Sequence, residues 1–139
     1  AKIIHAWGLD DNVEFTGMLP AERMKQAYLD AHVALTPSSI ENSSNSIGEA
    51  MLLGVPVVAS YVGGTPNLLN HGVEGYLYPF DAPYMMAEYI RRIFADDALA
   101  ATLGANGSIR AQKRHDAARN LSDLTEIYAR IANGAEKKG

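Results

Sequence analysis

Cysteine is absent from these 139 residues, which excludes disulfides, thiolate metal sites and a cysteine nucleophile, and suits a reducing compartment. Excess positive charge is missing as well, because 12 lysines and arginines stand against 16 aspartates and glutamates, a formal net charge of -4. No overall cationic field therefore gathers nucleic acid or an anionic membrane. Long apolar runs are also lacking. The longest, such as Val55 to Ala59, are strand-length, whereas a bilayer span takes about 20 residues, so a soluble chain is expected. No Gly-x-Gly-x-x-Gly follows a predicted strand, which sets a dinucleotide-binding oxidoreductase aside. His5, His32, His71 and His115 are scattered without ligand spacing, and neither a metal nor a cofactor is expected.

With 47% hydrophobic residues, the chain is long enough for one core and short for two, so residues 1–139 read as a single unit. Ala1 is followed by Lys2-Ile3-Ile4-His5-Ala6-Trp7, with neither an initiator methionine nor the apolar centre of a signal peptide. That start is expected of a piece of something longer. Four segments rich in β-branched or aromatic residues are predicted strands: Val13 to Thr16, Val33 to Thr36, Val55 to Ser60 and Gly75 to Tyr78.

Helical patterns lie between them. One opens after Pro20 with Met24, Ala27, Tyr28 and Ala31 at helical spacing, and one runs from about Ser46 to Leu53 and stops at Gly54. A short one starts at Thr65-Pro66, with Thr65 as its predicted cap. Strands alternating with helices predict an α/β fold, a Rossmann-like parallel sheet of about four strands over 13–80. From 83 to 132 the apolar positions recur every three or four residues, which predicts an all-helical tail. Its pieces are Tyr84 to Ala95, Ala98 to Leu103 and about Ser108 to Ile131, with a break marked by Gly104 and Gly107. Tyr84, Met85, Met86, Tyr89, Ile93 and Phe94 read as a core-packing face, and Asn133 to Gly139 as a frayed end.

The most informative stretch runs from Pro37 through Ser38-Ser39-Ile40-Glu41-Asn42-Ser43-Ser44-Asn45-Ser46-Ile47-Gly48-Glu49 to Met51. It leaves a strand, carries small hydroxyl and amide side chains, and enters a helix, the place where open α/β sheets bind ligands. Free amides at such a helix start attract phosphate. Glu41 and Glu49, seven residues apart, add carboxylates able to accept hydrogen bonds from sugar or ribose hydroxyls. The pair points to a ligand with both hydroxyls and phosphates. The plainer alternative stays open at this point: Glu49 complements the helix dipole, Asn45 or Ser46 caps the helix, and Glu41 is solvated.

Glu41, seven residues, Glu49, then Ala50-Met51, Gly54-Val55-Pro56-Val57-Val58-Ala59-Ser60, Gly63-Gly64-Thr65 and Gly72-Val73-Glu74-Gly75-Tyr76-Leu77 resemble the group 1 (family 4) retaining glycosyltransferases of GT-B fold. The resemblance covers roughly Val13 to Ala95, with the motifs in order. It implies the donor-binding, carboxyl-terminal domain, truncated at its amino-terminal side. By the same resemblance Glu49 binds the ribose hydroxyls and Glu41 is the catalytic-site carboxylate near the donor sugar. Asn45, Ser46 and Ile47 offer amides and small side chains to the sugar and distal phosphate, Gly17, Met18 and Leu19 border the base, and Gly63, Gly64 and Thr65 lie beside the pocket. Ser43-Ser44 stands where the family often has Phe-Gly, a departure that bears on loop shape and sugar choice.

From Gln26 through Ile90 there is no lysine or arginine, although charge builds on the departing diphosphate during transfer. Helix amides are worth about 0.3 to 1 kcal/mol each at an exposed terminus, whereas enzymatic rate gains need roughly 8 kcal/mol or more. Members of the family carry an Arg and a Lys upstream of where Ala1 falls, so the isolated chain is expected to be inactive. The whole protein is expected to move a hexosyl-type residue from a nucleoside diphosphate sugar, as substrate and not cofactor, to a glycan or lipid-linked acceptor. A cytoplasmic location, at the inner face of the membrane where acceptors are lipid-linked, goes with that reading. Arg110, Lys113, Arg114, His115 and Arg119 form the one basic cluster. It reads as a solvated helix face, with peripheral contact to anionic lipid as the alternative. Self-association through an unpaired sheet edge is a further expectation. The reading from another functional class is a non-catalytic α/β binding or interaction module.

Overall fold

Residues 2–136 are described by the computed structural model. After a short α1 (Lys2–Ala6) and a 3-10 turn at Asp10–Asn12, the chain alternates through α2 (Ala21–Asp30), β1 (Ala34–Thr36), α3 (Asn45–Leu52), β2 (Val57–Ser60), α4 (Thr65–Leu68) and β3 (Gly75–Tyr78). Three helices follow: α5 (Pro83–Ala95), α6 (Asp97–Arg114) and α7 (Ala117–Glu136).

The sheet has three strands in the order β1-β2-β3, all parallel. Ala34 pairs with Val57 and Val57 with Gly75. The middle strand is buried at every residue, which is why Val57-Val58-Ala59 is an unbroken apolar run. Successive side chains of a strand point to opposite faces. Val57 and Ala59 accordingly join Ile47, Ala50, Met51, Leu69, Leu77 and Ala111 in a core on one side. Val58 joins Tyr76, Tyr78, Tyr89, Ile93 and Leu103 on the other. Helix α3 covers the first face and α5 the second, while α6 contributes to both through Ala111 and Leu103. Burying a side chain such as Ile47 or Ile93 in full stabilises by about 1.5–3 kcal/mol, so α3 is among the most firmly seated elements.

The α/β reading, the parallel sheet and the helical tail hold, while four expectations are corrected. Val13 to Thr16 is not a strand, so the sheet has three strands, not four. Val13 is extended (φ -129°, ψ 118°), but Val13, Phe15 and Met18 are exposed and among the described residues no strand pairs with this segment to complete a ladder. Gly104 and Gly107 do not break the tail, because both lie inside α6. They are contact points. A Cβ at Gly104 would overlap the carbonyl oxygen of Gly54, and Gly107 faces Met51 and the carbonyl of Glu74. The break falls instead at His115 and Asp116. Residues 133–136, expected to fray, continue α7, and the rest of that expectation, residues 137–139, lies outside the described residues. Finally, Tyr89 and Ile93 are buried as expected, but Tyr84 and Phe94 are 73% and 61% exposed.

Candidate functional site

The loop between β1 and α3 is held from the neighbouring strand exit. The Ser60 hydroxyl, 1% exposed at the end of β2, donates to the carbonyl of Ser38. Farther along the loop, Gly63 and Gly64 press backbone to backbone on Glu41 and Asn42, leaving no room for a Cβ at either glycine. Gly63 also has a φ of +50°, which costs any other L residue energy. The Glu41 carboxylate, thus positioned at the loop's crest, accepts the amide of its neighbour Asn42 at 2.9 Å.

Helix α3 begins at Asn45, and Gly48 N donates back to Ser44 O at 3.4 Å. The cap residue is therefore Ser44, not Asn45 or Ser46, and its side chain makes no capping bond. The amides of Asn45, Ser46 and Ile47 form the open start of the helix, where the macrodipole favours an anion. Ile47 turns its side chain into the core at 0% exposure, so its amide is the group it offers outward. The Tyr28 hydroxyl donates to Ser46 O at 3.3 Å and ties α2 to this turn.

Glu49 sits one turn inside α3 with its residue exposed, between two cavities. One, about 330 Å³, lies toward α2 and is lined by Ala21, Met24, Lys25, Tyr28, Leu52 and Glu49 itself. The other, about 280 Å³, is lined by Ser43, Ser44, Asn45, Gly48 and Glu49 together with Leu52, Leu68, Arg114 and His115. Glu41 lines neither of these cavities, nor do Gly17, Met18 and Leu19. Gly17 turns the chain at φ +65°, and Met18 is fully exposed. The structure thus brings Asn45 and Glu49 to one cavity and Gly63 and Gly64 to Glu41. Thr65 is the first residue of α4, 1% exposed, and the cap position belongs to Gly64, so Thr65 is a core residue and not a cap.

Sequence reasoning placed Arg110, Arg114 and His115 together on one solvated basic face, with peripheral lipid contact as the alternative. The basic run is no single solvated face, because α6 ends at Arg114 and α7 starts at Ala117. Arg114 and His115 border the cavity at the α3 start. Arg110 turns inward, donating from Nε to Leu68 O at 2.7 Å and lying 3.5 Å from the Glu74 carboxylate. Glu74, 7% exposed, also accepts the Asn70 amide at 2.7 Å. No one-dimensional signal marks these positions, since neither their spacing nor their neighbours differ from those of a solvated run. His71 and His32 have structural surroundings. His71 Nδ1 lies 3.1 Å from Leu77 N, and the His32 ring lies 4.7 Å from that of Phe94, tilted by 39°. Among the described residues no cluster of three His, Cys, Asp or Glu side chains is placed to hold a metal ion, and no helix is long and apolar enough to cross a membrane.

Residues 1–96 match the model of the family described as glycosyl transferases, group 1. The amylovoran biosynthesis glycosyltransferase AmsK of Erwinia amylovora is 30% identical over 130 residues, covering 87% of this chain and 32% of that protein. Among solved structures, sucrose-phosphate synthase from Thermosynechococcus elongatus superimposes with a TM-score of 0.85 at 32% identity, over 96% of this chain and 33% of that one. HepE of Anabaena, solved in complex with UDP, gives 0.85 at 29% identity over 92% and 35%. The chain spans about a third or less of the length of the curated relatives named or matched alongside these.

Proposed function

The chain belongs to the group 1 glycosyl transferases, and from that premise we propose that it holds the nucleotide end of a nucleoside diphosphate sugar. In this reading Glu49 accepts hydrogen bonds from the ribose hydroxyls, Glu41 stands at the donor sugar, and the Asn45, Ser46 and Ile47 amides face phosphate. The supporting observation is the position of the Glu49 carboxylate at the rim of two cavities beside an open helix start. A carboxylate there repels a bare phosphate and welcomes a ligand whose hydroxyls reach it. HepE, whose structure superimposes on this chain, is solved with UDP and with UDP-glucose, which supports a uridine nucleotide as the first probe.

The whole protein, on this proposal, transfers a hexosyl-type residue with retention to a glycan or lipid-linked acceptor, in the manner of polysaccharide-building relatives such as AmsK. The 139 residues alone are proposed to be inactive. They cover a third of such relatives and carry no lysine or arginine between Gln26 and Ile90.

The test is titration of isotope-labelled chain with UDP, GDP and ADP. Amide shifts near Gly17, Glu41 and Glu49 at millimolar ligand are expected, and their absence for all three nucleotides overturns the reading. Glu49→Gln, at an exposed helix position where stability changes stay within about 0.5 kcal/mol, is expected to weaken the best binder by roughly tenfold, because hydrogen bonds to a charged group contribute about 1.5–3 kcal/mol.

A further inference from the structure

The stretch from Pro37 to Ser43, which carries Glu41, makes no backbone-to-backbone hydrogen bond among the described residues. Its shape is therefore set from outside. The Ser60 hydroxyl, at the end of β2, donates to Ser38 O at 2.5 Å and lies 3.4 Å from Thr36 O. With one proton to give, it bonds the nearer carbonyl. We propose that Ser60 is a positioning residue for Glu41, setting through the Ser38 carbonyl where that carboxylate meets the sugar of the donor. This inference rests on the nucleotide-sugar reading above and names a residue that acts on its sugar end without touching the ligand.

Several observations converge on Ser60. It ends the apolar run Val57-Val58-Ala59 at a position 1% exposed, where an unbonded hydroxyl is costly. Packing alone does not ask for that oxygen, since alanine fills the preceding position at 0% exposure. The bond it makes also lies outside the sheet ladder, because β1 ends at Thr36 and Ser38 belongs to the loop. Gly63 and Gly64, a few positions beyond Ser60, close on the backbone of Glu41 and Asn42. The exit of β2 thus grips the loop both before the carboxylate and at it.

The far end of the same stretch is held in the same manner. The Tyr28 hydroxyl donates to Ser46 O at 3.3 Å. Ser38 stands three residues before Glu41 and Ser46 three before Glu49, so each carboxylate follows a carbonyl fixed by a hydroxyl from another element. A loop already held in one shape loses less freedom when a ligand arrives, and the Ser60 bond supplies that order at the Glu41 end.

The test titrates isotope-labelled chain with UDP and UDP-glucose in the wild type, Ser60→Ala and Ser60→Thr. In the wild type UDP-glucose is expected to shift the Glu41 and Asn42 amides beyond the shifts that UDP gives, while Glu49 responds to both alike. Ser60→Ala is expected to lose that extra response and to weaken UDP-glucose roughly three- to tenfold, the reach of one hydrogen bond, leaving UDP unchanged. Without ligand, backbone order parameters at 39–43 are expected to fall in Ser60→Ala from about 0.85 toward 0.6. Ser60→Thr keeps the hydroxyl and is expected to restore both readouts. Should Ser60→Ala fold poorly, Ser60→Cys, with a weaker donor of similar shape, gives the same readouts with a smaller loss. A residue serving stability alone lowers the melting temperature but leaves the sugar-dependent shifts and the UDP-glucose to UDP affinity ratio as in the wild type. That result, or a wild type in which the sugar adds nothing at Glu41, overturns the inference and leaves the nucleotide reading standing. A wild type in which neither nucleotide shifts Glu49 overturns that reading, and the inference with it.

Discussion

The Cα of Gly63 stands so close to the carbonyl oxygen of Glu41 that no side chain fits between them. The loop entering α4 and the loop entering α3 therefore meet as bare backbone, and the position of Glu41 depends on a residue beyond β2.

Gly63→Ala is expected to destabilise the chain by about 1–3 kcal/mol, the usual cost of forcing atoms into a packed space, with a further contribution from the left-handed backbone. A urea titration measures it, with the midpoint displaced downward and the slope unchanged. An unchanged midpoint would show that the two loops separate freely.

Arg110 and Glu74 join α6 to the segment between α4 and β3. Arg110→Met leaves the Leu68 carbonyl and the buried Glu74 carboxylate without this partner. Because the Arg110 side chain is 33% exposed, the expected loss is about 1–3 kcal/mol rather than that of a fully buried pair. Arg110→Lys is expected to recover only part, since a point charge replaces a fork reaching the Leu68 and Asn67 carbonyls and the Glu74 carboxylate. Thermal and urea unfolding both read this.

On α5, hydrogen bonds from Arg91 and then Arg92 hold the Glu88 carboxyl at about 2, below its ordinary 4.5. The folded value is the lower one, so the contribution to stability is present above 4.5 and is lost as pH falls toward 2. Carboxylate chemical shifts followed from pH 6 to 1.5 are expected to show a midpoint near 2 at low salt, moving upward in molar salt as these exposed pairs are screened. A midpoint near 4.5 at low salt overturns this.

Among the described residues neither β1 nor β3 has a strand on its outer side, and Leu35 on β1 is 41% exposed. Association of the chain through such an edge is expected at high concentration. Sedimentation at increasing concentration should show a rising weight-average mass, reduced in Leu35→Lys, and a strict monomer throughout counts against it.

Much of the fold was legible because it is written locally. Val57-Val58-Ala59 announces a strand buried on both faces, Pro20 and Gly54 punctuate helices, and Glu41 to Glu49 marks a strand-to-helix junction. The reading went astray where an element depends on a partner. Val13 to Thr16 has strand composition, but a strand forms only beside another strand. Gly104 and Gly107 have the signature of a break, yet packing against Gly54 and Met51 outweighs the roughly 1 kcal/mol that each glycine costs a helix.

The sequence by itself determined the order of elements, the polar loop with its two carboxylates and the family motifs, because each depends on neighbours a few positions away. Only the tertiary structure decided that Arg110 turns inward to Glu74 and that Arg114 and His115 stand across a cavity from Glu49. Those meetings follow from how α6 crosses the layered core, and side-chain contacts between residues far apart in the chain exist only once burial of the sheet has set the helices in place.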